Sequence, residues 1–62
     1  MPIELRVMVV EDELLATRRL VKLLASLTSV EVVGIAENGR IALEVIESVR
    51  PNVLLLDIEM PG

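Results

Sequence analysis

Three short apolar runs, separated by two stretches of helical period, leave this chain very few ways to fold. Leu5 to Val10 reads Leu-Arg-Val-Met-Val-Val, Val30 to Ala36 reads Val-Glu-Val-Val-Gly-Ile-Ala, and Val53 to Leu56 reads Val-Leu-Leu-Leu, in a third strand expected to reach Ile58. Continuous apolar runs rich in β-branched residues or leucine predict strands covered on both faces, as in parallel sheets. Between the first two runs, Leu14, Leu20, Val21, Leu24 and Leu27 recur at helical spacing, with Arg18, Arg19 and Lys22 on the other side. The spacing predicts a helix from about Leu14 to Leu27. Thr28-Ser29 breaks it, and Asp12 or Glu13 is placed to cap its start. After the second run, Ala42, Val45, Ile46 and Val49 mark a second helix face, with Asn38 as its N-cap rather than as half of an Asn-Gly hairpin. Pro51 disfavours helical geometry at Arg50 and ends that helix, and Asn52 leads into the third strand.

Strand, helix, strand, helix, strand, with helices of roughly a dozen residues, calls for parallel pairing through crossovers, hence an α/β fold. Right-handed crossovers that put the two helices on opposite faces give the strand order 2-1-3. Strands one and three are then neighbours where the chain order reverses, the position at which open parallel sheets bind ligands beyond their strand ends. Strand one ends at Glu11-Asp12-Glu13 and the third apolar run stops at Asp57, followed by Ile58-Glu59-Met60-Pro61-Gly62. Three carboxylates, Glu11, Asp12 and Asp57, are therefore expected to converge on one crevice. Like charges so close raise one another's pKa, and a shared proton or a divalent cation relieves them. Oxygen ligands without His or Cys favour magnesium over zinc, and magnesium accepts one or two carboxylates plus waters when a phosphate completes its shell. The plainer alternative is that Asp12 caps the first helix and Asp57 caps the loop after its strand; finding both at matching strand ends weighs against it.

Composition narrows the setting. The 62 residues form at most one small domain, of a size that buries only about 60% of its unfolded surface. No cysteine is present to staple it, so nothing in the residues reports the redox compartment. With 53% hydrophobic residues, no aromatics and a mean hydropathy of +0.66, some apolar surface is expected to meet a partner. A net charge of -4 offers no footprint for nucleic acid or anionic membrane. Charges interrupt every apolar run well short of a membrane span, and Met-Pro-Ile-Glu-Leu-Arg lacks the layout of a signal peptide, so the expected location is the cytoplasm.

Val-Met-Val-Val-Glu-Asp-Glu, the Ala-Glu-Asn-Gly turn and Val-Leu-Leu-Leu-Asp-Ile-Glu-Met-Pro-Gly together resemble the amino-terminal half of a receiver domain of two-component response regulators, over the whole of residues 1–62 and in order. The resemblance implies a flavodoxin-like half-fold and a signalling domain rather than an enzyme in its own right. It implies that Asp57 accepts a phosphoryl group from a histidine kinase or a small phosphodonor, and that Asp12 binds magnesium directly. Glu11 matches the acidic neighbour that acts through a metal-bound water. The backbone carbonyl of Glu59 matches the main-chain ligand two residues past the acceptor. Met60-Pro61-Gly62 would set the turn after it, Pro presetting φ and Gly permitting φ > 0.

The departures are equally definite. The family's fourth-strand Ser or Thr and fifth-strand Lys have no counterpart here; Lys22 is no substitute, lying on the polar side of the first helix, and Arg18-Arg19 reads as a solvated face. A phosphatase of the haloacid dehalogenase type also uses a strand-end Asp, but it resembles Asp-x-Asp on the first strand, whereas Glu59 stands two beyond Asp57 on the third. A different class of reading is a half-domain whose behaviour is self-association. In the 2-1-3 order the Asp57 strand is an open edge of central-strand composition, so a homo-oligomer through that strand is expected.

Overall fold

The computed structural model describes residues 4–56, arranged as β1 (Leu5–Val10), α1 (Leu14–Ala25), β2 (Val30–Ala36), α2 (Gly39–Val49) and β3 (Val53–Leu56). The three strands form one parallel sheet in the order β2-β1-β3. This is a flavodoxin-like half-fold, with the predicted order and direction. Val7 and Val9 point to one face, where Leu20 and Leu24 of α1 cover them; Met8 and Val10 point to the other, with Ala42, Val45, Ile46 and Val49 of α2. The helices lie on opposite faces, and β1 is buried between them.

Caps and stops explain the helix limits. The Asn38 side chain accepts a hydrogen bond from the Ile41 N–H at 2.9 Å, the predicted N-cap of α2. At the other end Arg50 turns left-handed, φ 46°, which takes the chain out of the helix one residue before Pro51. That conformation costs a non-glycine residue about 1–2 kcal/mol. The Arg6 side chain offsets it by donating to the carbonyl of Arg50 at 2.7 Å and to that of Val49.

The first helix starts at Leu14 as expected and differs at its end and in what it buries. It stops at Ala25 rather than Leu27, because the Ser26 hydroxyl takes the Leu23 carbonyl at 2.6 Å and the N–H groups of Ser26 and Leu27 reach back only three residues, to Leu23 and Leu24. Leu14 and Leu27, expected on its core face, are 65% and 49% exposed. Of that predicted face, only Leu24 is buried, with Leu20 packed against it.

Two features of β2 were not expected. Val7 pairs with Val32 but Met8 pairs with Gly34, so Val33 is an extra residue in the ladder. The bulge changes which side even-numbered residues face: Val30 and Val32 lie with α1, whereas Ala36 lies with α2. Gly34 follows it, and a Cβ there would stand 3.3 Å from methyls of both Val45 and Val49. The missing side chain lets α2 seat directly on the sheet.

The third strand takes the edge position expected of it, without the cover that its composition predicts. Its apolar run predicts cover on both faces, and among the described residues neither face is fully covered: Val53 and Leu55 are half-buried against the Val7, Val9 and Leu24 cluster, while Leu54 and Leu56 on the α2 side are 44% and 58% exposed. α2 sits over β1 and β2, and β3 is the edge of the described sheet. The remainder of the predicted strand, to Ile58, lies outside the described residues.

Candidate functional site

Glu11 and Asp12 leave β1 at its carboxyl end. The Glu11 N–H donates to the Ala36 carbonyl at 2.9 Å, so the backbone is still held to β2 when the side chain enters the turn. Glu11 is 5% exposed, and its Oε1 accepts the N–H of Glu13 at 3.0 Å. Glu13 is the N-cap residue of α1, with extended backbone, but its side chain makes no capping bond, and neither it nor Asp12 caps the helix as expected. The carboxylate that steadies this helix start is Glu11, placed where a negative charge is favoured by the helix dipole. Thr17 completes the anchor: its N–H and its buried hydroxyl both donate to the Glu13 carbonyl, at 3.0 and 3.1 Å. Asp12, between them, is exposed.

Beside this turn a groove of about 280 Å³, open to solvent, is lined by Glu11, Ala16, Arg19, Leu20 and Leu23. Arg18, Arg19 and Lys22 are all exposed, in line with a solvated face. Asp57 and Glu59, the other expected site residues, lie outside the described residues, and among the described residues no cluster of three or more metal-ligating side chains occurs. The geometry that leads to them is described: β1 and β3 run parallel and adjacent, with Val10 opposite Leu56. Those two residues directly precede Glu11 and Asp57 in the chain.

At the opposite end of the same strand pair is a constellation that sequence reasoning passed over. The Arg6 N–H donates to Asn52 Oδ1 at 2.8 Å, the Asn52 N–H donates to the Arg6 carbonyl at 2.9 Å, and Asn52 Nδ2 donates to the Glu4 carbonyl at 3.1 Å. The sequence signal was available: an amide side chain between a helix-ending proline and an apolar strand is a ready partner for free backbone groups.

Comparison with known proteins agrees with this architecture. The family model for the response regulator receiver domain matches residues 7–62. A protein-glutamate methylesterase/protein-glutamine glutaminase of Desulfotalea psychrophila is 46% identical over 57 residues, covering 92% of this chain and 16% of that protein. Another of the same name, numbered 5, from Myxococcus xanthus is 45% identical over 58 residues, covering 94% and 17%. The positive alginate biosynthesis regulatory protein of Pseudomonas aeruginosa is 44% identical over 59 residues, covering 94% and 24%. The chain thus spans less than a quarter of the length of these curated relatives. No solved structure matches. No described helix is long and apolar enough to cross a membrane. With its β2-β1-β3 parallel sheet, its acids at the carboxyl end of β1, and a family match running from Val7 to Gly62, the chain belongs to the response regulator receiver domain family.

Proposed function

We propose that Asp57 is the phosphoacceptor of this receiver segment, served by a magnesium site made of Asp12, Glu11, Asp57 and the backbone carbonyl of Glu59. The observation that carries this reading is the Val10-Leu56 pairing, which brings the strand ends leading to Glu11-Asp12 and to Asp57 side by side. Receiver domains generally bind magnesium, and the donor set fits it: oxygen ligands, no His or Cys, and one exposed acid beside one oriented acid. When bound, magnesium supplies the positive charge that lets crowded carboxylates and an incoming phosphoryl group coexist. Asp12, being exposed, takes the direct position, and Glu11, fixed by the Glu13 N–H, holds a water or the second position. An Asp57 carboxylate oxygen forms a bond to phosphorus while the bond from phosphorus to the donor's leaving atom breaks; the leaving group departs with the electron pair, and an acyl phosphate remains. The donor is a histidine kinase's phosphohistidine or a small phosphodonor. Residues 1–62 are then the amino-terminal half of the domain, in the cytoplasm, with no part in nucleic-acid or membrane binding.

The relatives' names differ, esterase and glutaminase in some and alginate regulation in another, although the shared segment is similar in each. That pattern favours an input module over a catalytic one. Magnesium titration followed by the amide resonances of Glu11 and Asp12 tests the reading: weak binding is expected in the 62-residue chain, and its loss in Asp12→Ala and in Asp57→Ala. Equal affinity in all three chains would overturn the shared site. Acyl-phosphate formation from a small phosphodonor is expected to be slow or undetectable in this chain, because the Ser/Thr and Lys contacts expected of a complete receiver have no counterpart in these residues.

The exposed Leu54 and Leu56 on an edge strand support a second reading, that a polypeptide of these 62 residues self-associates through β3. Light scattering at micromolar concentration is expected to give at least twice the 6.8 kDa chain mass. Leu55→Lys should dissociate and unfold the chain together. A folded monomer at that concentration would sink this reading and leave the phosphoacceptor reading standing.

A further inference from the structure

The run Val53-Leu54-Leu55-Leu56 does not specify its own register. A strand with one polar and one apolar face resists a one-residue slip, because the slip carries every apolar side chain to the wrong side. Here all four side chains are apolar, so either face serves for either set. A two-residue slip preserves the faces altogether. Each residue of slip moves the strand by about 3.3 Å. Magnesium accepts ligands only near 2 Å, in close to octahedral geometry, so one step is enough to disperse a shared site. Something other than the apolar run must hold β3 where it is.

The clasp at its start does so. Asn52 stands opposite Arg6 in the register that continues as Val7-Val53 through Val10-Leu56. Its three hydrogen bonds reach Arg6 twice and Glu4 once, so the side chain spans positions on both sides of Leu5. A slipped β3 would place an apolar side chain at this position, with neither acceptor nor donor. Arg6 is in turn tied to the end of α2 through the Val49 and Arg50 carbonyls, which fixes the point at which the chain enters β3.

We propose that Asn52, acting with Arg6, is the positioning residue that sets the register of β3 on β1 and thereby the placement of Asp57 against Glu11 and Asp12. This rests on the phosphoacceptor reading for its consequence, although the register itself does not. Two measurements on the 62-residue chain separate the two. Cross-strand nuclear Overhauser contacts between Val10 and Leu56 read the register without any metal, and magnesium titration reads the site. In Asn52→Ala the Val10-Leu56 contact is expected to weaken, with new contacts from a slipped pairing, and magnesium affinity to fall about 10- to 100-fold, the usual effect of removing a ligand-orienting partner.

Asn38→Ala serves as the control, since it removes one capping bond from α2 at the other end of the sheet and should lower stability while leaving register and affinity alone. Should Asn52→Ala unfold, Asn52→Asp keeps the acceptor for the Arg6 N–H and loses the donor to Glu4, and an intermediate loss of affinity is expected. An unchanged Val10-Leu56 contact with unchanged affinity in the folded Asn52 variant would overturn the proposal, as would equal losses in Asn38→Ala. A wild-type chain with the contact intact but no magnesium binding would sink the phosphoacceptor reading and not the register assignment.

Discussion

β1 and β3 are nearly interchangeable as sequences and opposite as structures. Val-Met-Val-Val and Val-Leu-Leu-Leu are four-residue apolar runs, each followed by an acid, paired residue for residue along one ladder. Yet Val7 through Val10 are all buried, whereas β3 alternates half-buried and exposed. The difference is position. Among the described residues, β1 has a strand on either side and a helix over each face, whereas β3 has a strand on one side only and is half-buried on one face. An apolar run reports what a strand tolerates, and its neighbours decide what it receives.

The largest expected effect is the direct contrast between the two strands. Met8 is fully buried, so Met8→Ala should cost about 2–5 kcal/mol, a large part of what a domain this small commands. Leu56→Ala, on the same face one strand over, should cost about 1 kcal/mol or less in dilute monomer. Urea unfolding of both variants reads the contrast; similar losses would mean that β3 is covered after all, and a loss at Leu56 that grows with chain concentration would point to a second copy as the cover.

The next effect sharpens why α2 covers β1 and not β3. Gly34→Ala adds a methyl against Val45 and Val49 and should lift α2 from the sheet, at roughly 1–3 kcal/mol. Thermal unfolding checks the cost, and the Met8 resonances should shift with it. A neutral outcome would show that α2 is seated by Ala42 and Ile46 without help from the glycine. Smaller again is Gly39→Ala, at a position with open space and helical backbone, which should stabilise by up to about 1 kcal/mol in the same scan. The two glycines differ in what stands opposite a Cβ and in backbone, one in a strand and one in a helix, so destabilisation by both would break the account given for each.

Much of this architecture was legible because its causes are local. The five elements, the Asn38 cap and the helix stop before Pro51 follow from period and cap chemistry within a few residues. The parallel order came from connection length and handedness, and the acids at the end of β1 from where an apolar run stops. What misled was any reading that needed to know the far side. Leu14 and Leu27 fit the helical period, yet both are exposed, and Leu27 lies beyond the end of α1. Asp12 and Glu13 had the right chemistry to cap α1, but buried Glu11 reaches the Glu13 N–H instead. The site is legible in the same measure: the residue types and strand ends are written in the chain, and their orientation is not.

The sequence by itself determined that this chain makes a parallel β-α-β-α-β unit of the receiver family with acids at the end of β1, since periodicity, caps and chain-length limits act over short distances. Only the tertiary structure decided that Val33 bulges out of the ladder, that β3 is bare on one side, and that Asn52 holds its start. Those outcomes turn on which group stands opposite which across a sheet, and a strand whose residues are all apolar carries no preference of its own between one partner and the next.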